Sequence, residues 1–219
     1  MHKYKIGVFF LLLICLSSFY TVIGKENTLP LFGKVIYIDP GHGGPDPGAL
    51  YKNIKEKDIN LEISQKLEKQ LTSLGAIVYL TRYGDYDLSV QNTNSRKRSD
   101  LSRRASIINQ SGCDMYVSIH LNADKSETWQ GIQVFYDDVN PKNEQIAETM
   151  QKVFKKRLNA KREFKELSNI YLHRKVERPG ILVEAGFLSN PNDRYLLKQS
   201  TYQQKVVNAI SEGLLTYWE

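Results

Sequence analysis

Two histidines and two glutamates in this 219-residue chain are spaced for metal-assisted hydrolysis. His42 stands in Asp39-Pro-Gly-His-Gly-Gly-Pro-Asp-Pro-Gly48, a loop whose four glycines and three prolines can present an imidazole without helical packing around it. Glu56 follows fourteen residues later, at the start of a helical pattern, and His120 ends a strand-like run in Ser118-Ile-His-Leu-Asn-Ala123. Two imidazoles and one carboxylate make a zinc site with a fourth position free for water, which is the arrangement of catalytic rather than structural zinc. Zinc lowers the pKa of such a water to about 7, so hydroxide is available at neutral pH. A second carboxylate has to carry the proton, and Glu184, at a strand end in Val183-Glu-Ala-Gly-Phe-Leu-Ser-Asn190, is the candidate.

A lone histidine or glutamate at a strand end is more often structural or solvated than catalytic. The reading therefore rests on four such residues converging. Asp58 and Glu62 compete with Glu56, but on a helix they lie two and six residues from it and project from other faces. His2 belongs to an N-terminal apolar segment. His173, in Tyr171-Leu-His-Arg174, is expected on the surface or against substrate, and Cys113, just before a strand, is expected to be a small buried apolar residue.

The elements that must position these groups are legible as an alternation. Lys34 to Asp39 is rich in branched and aromatic residues and suits a buried strand. Ile59, Ile63, Leu67, Leu71 and Leu74 recur three or four apart, as on one helix face, and Gly75 can end that helix in the left-handed conformation. Ala76 to Arg82 reads as a strand, followed by a polar loop from Tyr83 to Ser99. A helix carrying Leu101, Ala105 and Ile108 stops near Gly112. Strands are expected at Asp114 to His120, Ile132 to Tyr136 and Ile181 to Glu184. Between the last two lies a helix with Ile146, Met150, Val153, Phe154 and Leu158 inward, and Tyr202 to Tyr217 closes the chain as an amphipathic helix. The pattern predicts an α/β fold: a single-domain sandwich in which helices flank a largely parallel twisted sheet, with ligand-binding residues gathered where the strands end.

Residues 1–25 hold two lysines before a nearly unbroken apolar run, which predicts an export signal or an N-terminal membrane anchor; residues 26–219 form the catalytic domain. About 195 residues suffice for one core. The segment around Cys15 has a bulky residue where a lipoprotein signal needs a small one, and beyond it only Cys113 remains, so no intrachain disulfide can form. The net charge of +6 fits an anionic wall or membrane surface better than nucleic acid for an exported chain, and membrane contact is expected only through the N-terminal segment.

The set Asp39-Pro-Gly-His-Gly-Gly, Glu56-Lys-Asp, Ser118-Ile-His-Leu-Asn-Ala and Val183-Glu-Ala-Gly-Phe-Leu-Ser-Asn resembles the zinc N-acetylmuramoyl-L-alanine amidases, in order, from Lys34 to the C-terminus. That resemblance implies Zn2+ on His42, Glu56 and His120, catalysis by Glu184, and hydrolysis of the amide between the lactyl group of muramic acid and L-alanine in peptidoglycan. The short N-terminal segment, the lack of wall-binding repeats and the Asp100-Leu-Ser-Arg-Arg-Ala helix start are similar to the germination-specific branch of spore-forming bacteria. This implies action on spore cortex in the forespore intermembrane space, ahead of muramic δ-lactam formation, and allows a lipoprotein or other protein activator. The sequence Ala49-Leu-Tyr-Lys-Asn lacks a glycine often seen after the first motif. Arg96, Arg98, Arg103 and Arg104 could meet stem-peptide carboxylates or simply form a solvated face. The other readings are a vegetative autolysin of the same chemistry, a zinc peptidoglycan carboxypeptidase, and a non-catalytic wall-binding protein. A carboxypeptidase needs a fixed cation for a terminal carboxylate, which these motifs do not identify. A binding protein would be expected to lack one of the four site residues.

Overall fold

The computed structural model describes residues 29–167 and 170–219, so the expected export segment lies outside the described residues. Six strands form one sheet. They are β1 (Val35–Pro40), β4 (Ile77–Leu80), β5 (Met115–Asn122), β6 (Gln133–Tyr136), β7 (Lys165–Glu166) and β8 (Gly180–Phe187), in the spatial order β4-β1-β5-β8-β6-β7. All neighbours are parallel except β6 and β8, so the sheet is largely parallel with one antiparallel junction. A two-stranded hairpin, β2 (Leu50–Tyr51) with β3 (Ile54–Lys55), leads into the first helix.

The helices sort to the two faces by their apolar residues. α1 (Glu56–Ser73), α3 (Asn143–Leu158) and α5 (Ser200–Trp218) bury Ile59, Ile63, Leu67, Ile146, Phe154, Val206 and Ile210 against Ile36, Ile38, Val117, Ile119 and Val183. Those strand residues alternate with Tyr37, Asp39, Tyr116, Ser118, His120, Leu182 and Glu184, because successive strand side chains point to opposite faces. On the second face α2 (Arg96–Ser111) and a turn of 3-10 helix (His173–Lys175) cover only the end where Tyr116 packs with Ala105, Ile108, Leu172 and Val176. The polar end of that face, from Asp39 to Glu184, is where the site forms. A short helix α4 (Pro191–Leu197) follows β8, capped by the Asn190 side chain accepting from the amides of Asn192 and Asp193.

The expected strands and long helices are present, and Gly75 and Gly112 end α1 and α2 with φ of +96° and +67°. Three expectations are corrected. His120 and Glu184 lie inside eight-residue strands rather than at their ends, because β5 and β8 continue to Asn122 and Phe187. The four arginines sit on α2, which starts at Arg96 rather than after Ser99. His173 is buried, at 3 % exposure, rather than on the surface. Among the described residues no helix is long and apolar enough to cross a membrane.

Candidate metal centre

Three of the four predicted site residues converge on one point. His42, Glu56 and His120 each offer a ligand atom within 4.8 Å of the others. Glu56 Oε1 lies 3.2 Å from His42 Nε2 and 3.0 Å from His120 Nδ1. Glu56 is the first residue of α1, and its carboxylate is fixed by backbone amides, Ala49 donating to Oε2 at 2.7 Å and Leu121 to Oε1 at 2.9 Å. Two glycines make this convergence sterically possible. A Cβ on Gly41 would fall 2.2 Å from Cε1 of His120, and one on Gly48, whose φ is +68°, would fall 2.5 Å from Glu56 Oε2. The glycine-rich loop therefore lets side chains from three elements approach one another.

His42 itself has φ of +62°, a left-handed conformation costly for a side-chain-bearing residue. Arg104 Nη2 holds its carbonyl at 2.6 Å, and the Gly43–Asp46 backbone pair closes the loop behind it. Asp46 accepts a bond from His42 Nδ1 at 2.9 Å, which leaves Nε2 facing Glu56. Such an outer carboxylate fixes the tautomer and ring orientation of a ligating imidazole. Asp46 was not foreseen from the sequence, although a carboxylate four residues after a histidine in a tight loop is a readable signal.

Beneath the loop lies a buried charged network that also escaped sequence reading. Asp39 accepts from Arg104 Nη1 at 2.8 Å, Thr81 Oγ1 at 2.6 Å and Ser118 Oγ at 2.8 Å. Arg104 also bonds Asp100 Oδ2 at 2.9 Å and the Pro40 carbonyl at 2.8 Å. Arg82 donates to the carbonyls of Pro40, Gly41 and Lys57. Burial opposes ionisation of Asp39, but Arg104 and the hydroxyl of Thr81 outweigh it and hold the carboxyl well below its usual range. Burial, with the neighbouring Arg104 charge, brings Arg82 down to about 10. Of the arginines considered for substrate carboxylates, Arg104 is thus buried in the fold and Arg96 is paired with Asp87 at 2.6 Å.

Glu184 stands beside His120 across the β5–β8 pairing, with Gln133 on its other side in β6. Its Oε2 is buried and accepts no hydrogen bond from the described residues. Burial first, and then the Glu56 carboxylate, raise its pKa to about 8. Opposite effects operate at the triad. Burial alone would raise Glu56, yet the bonds from His120 and His42 hold it far below the ordinary carboxylate value, and Glu56 and Asp46 raise His42 against its own burial. Paired carboxylates pushed in opposite directions are a mark of acid–base sites. A cavity of about 220 Å³ opens beside the triad, walled by Lys97, Leu101, Ile170 and His173. Burial and the nearby His120 lower His173 to about 4, so its ring is neutral, with Nδ1 2.7 Å from the Tyr116 hydroxyl.

Residues 36–216 match the Amidase_3 family, described as N-acetylmuramoyl-L-alanine amidase. The chain belongs to that family. It is 44% identical over 198 residues to the germination-specific N-acetylmuramoyl-L-alanine amidase of Bacillus subtilis, covering 89% of this chain and 84% of that one. The LytC amidase of the same organism is 29% identical and is matched over 38% of its length by 90% of this chain. Among solved structures, the CwlD amidase of Clostridioides difficile, in complex with the GerS lipoprotein, superposes with a TM-score of 0.81 at 38% identity, covering 85% of this chain and 98% of that one. This amidase is therefore a hydrolase whose substrate class is peptidoglycan.

Proposed function

We propose that this amidase binds one zinc ion through His42, Glu56 and His120 and uses Glu184 to move the proton between water and the leaving L-alanine nitrogen. The donor set fits zinc: two imidazoles and a carboxylate within reach of one point, with a cavity beside both imidazoles. The observation that carries the reading is Glu184, a carboxylate beside His120 whose inner oxygen has no partner among the described residues. A zinc ion bound there supplies Lewis acidity to the scissile carbonyl and makes water acidic enough to deprotonate near neutrality.

The chain's own residues do the remainder. Asp46 keeps the His42 ring turned toward the ligand point. Glu184 accepts the proton of the attacking water and returns it to the amide nitrogen, without which the leaving group would be an amine anion. Its elevated pKa suits the second half of that cycle, and a dication held by the neighbouring triad would lower it for the first half. Metal analysis of the soluble domain tests the ligand assignment. Zinc near one equivalent is expected in the parent and its loss in both His42→Ala and His120→Ala; undiminished zinc in both variants removes the site.

The likeness to the germination-specific relative supports a role in spore cortex, with the domain exported across the cytoplasmic membrane by an N-terminal segment that is either a cleaved signal or a retained anchor. Removing stem peptides from muramic acid there frees the lactyl carboxyl for closure onto the sugar nitrogen. The lipoprotein complex of the solved relative supports a lipoprotein partner for this chain as well. A vegetative autolysin of the same chemistry is the second reading, since the LytC amidase also matches and its name carries no germination role. Gene deletion separates them: spores without muramic δ-lactam that fail to complete germination are expected. Normal lactam content together with chained vegetative cells establishes the autolysin instead.

A further inference from the structure

We infer that Arg162 reads the free α-carboxylate of the second stem-peptide residue, and so makes this amidase selective for stems in which that group is not amidated. The inference rests on the amidase reading above. It begins from the row His120, Glu184, Gln133, which lie side by side across β5, β8 and β6 on the site face of the sheet. Gln133 is 6 % exposed, donates through Nε2 to the Glu163 carbonyl at 2.7 Å, and accepts from Arg162 Nε at 2.6 Å. The Arg162 guanidinium lies 5.2 Å from the ring centre of Trp129 and 4.9 Å from that of Phe187. Two aromatic rings and one hydrogen bond therefore fix it, while its Nη1 and Nη2 groups make no hydrogen bond with the described residues. A planar fork held this way, with its terminal N–H groups unused, matches a carboxylate bidentately.

The direction and the distance both agree with a peptide ligand. Glu184 returns its proton to the leaving nitrogen, so the peptide departs on the Glu184 side of the metal triad, toward β6. Neighbouring strands are about 4.8 Å apart, and Arg162 Nε lies 2.6 Å from the Gln133 oxygen, so the guanidinium begins within roughly 7 Å of Glu184. Two stem residues at about 3.5 Å each span that length. The group reached there is the α-carboxylate of the second residue, which the γ-linked stem leaves free. The residues flanking Trp129 are tied to the helix that follows β8: Asn190 donates to the Glu127 carbonyl at 2.7 Å and Asp193 accepts from the Gly131 amide at 2.7 Å. Arg96 and Arg104, with their carboxylate partners inside the chain, are not equivalent candidates.

The test uses two N-acetylmuramoyl tripeptides, each amidated at the C-terminus with a lysine third residue, so that the second-residue α-carboxylate is the only stem carboxylate in one and is a carboxamide in the other. The parent domain is expected to prefer the carboxylate form in kcat/KM by a factor on the order of 10 to 100, the range for a charge-assisted bidentate contact. Arg162→Gln should bring the two substrates within about threefold, mainly through KM, with Arg162→Lys between. Equal rates for the parent, or undiminished discrimination in a folded Arg162→Gln, overturn the inference. Fluorescence of Trp129 in a Trp218→Phe background, titrated with the same two tripeptides lacking the sugar, keeps the readings separate. Carboxylate-dependent quenching by these peptides, with no hydrolysis of either muramoyl tripeptide, overturns the amidase mechanism alone, and equal quenching by both peptides overturns the role of Arg162.

Discussion

Glu184→Gln is expected to lower turnover by roughly 10²–10⁴-fold, the usual contribution of a positioned proton-transfer group, while leaving fold and zinc content unchanged. The substitution keeps the shape of the side chain beside His120 and Gln133. It removes only the ability to accept a proton, and none of the three converging ligand atoms belongs to residue 184. A second readout follows from the raised pKa. In the metal-free domain the native state keeps the Glu184 proton up to about 8, whereas the unfolded chain releases it near the ordinary glutamate value. The native state therefore binds more protons in that window, and stability falls as pH rises through it. Glutamine carries no ionisation penalty, so melting temperatures of metal-free Glu184→Gln should overtake those of the metal-free parent on the alkaline side. Activity within a few-fold of the parent points to another base. Parallel melting curves from pH 5 to 9 show that Glu184 is not the buried acid described here.

The residues that read easily from sequence are those whose environment is local. The helix of Ile59, Ile63, Leu67 and Leu71 announces itself by its spacing, and Gly75 and Gly112 by the left-handed turns they permit. His42, Glu56 and His120 were readable because they follow a recognisable strand, start a helix and lie toward the C-terminal end of a strand, positions that parallel topology gathers together. What was not readable depends on pairings that sequence distance hides. Gln133 lies beside Glu184 only because β6 runs antiparallel to β8, and the two are 51 positions apart. Arg162 reaches Gln133 from the loop before a two-residue strand that carries no periodic signal. His173 was expected on the surface or against substrate, yet the turn that carries it, beside the charged Arg174 and Lys175, tucks its ring against Tyr116. Arg104 was grouped with the basic residues around it, since nothing in Arg-Lys-Arg-Ser-Asp-Leu-Ser-Arg-Arg says which guanidinium points inward. Helical spacing marks the inner face by Leu101, Ala105 and Ile108; Arg104 shares it, and Asp39 receives it there.

That inward arginine gives the largest expected effect on stability. Arg104→Ala leaves Asp39 and Asp100 buried without their shared cation, frees the carbonyl of His42 and leaves that of Pro40 to Arg82 alone. Breaking one side of a buried pair costs about 3–5 kcal/mol. At about 2–4 °C per kcal/mol for a domain of this size, melting should fall by roughly 6–20 °C. Arg104→Lys restores the charge but offers a single point of attachment where the guanidinium serves four acceptors, so it should recover part of the stability. It should recover less of the metal affinity, because the left-handed turn at His42 loses the Nη2 bond that holds its carbonyl. Acid unfolding separates the charge effect from the loop effect. Asp39 is held below its usual range, so its contribution is complete above the ordinary aspartate value near 3.9 and is lost as pH falls toward the lower folded value. The parent should therefore lose stability progressively below about pH 4, and Asp39→Asn should lack that part of the slope. If Arg104→Ala melts within about 3 °C of the parent, the two arginines under the loop are redundant and Arg82 alone holds the turn that carries His42.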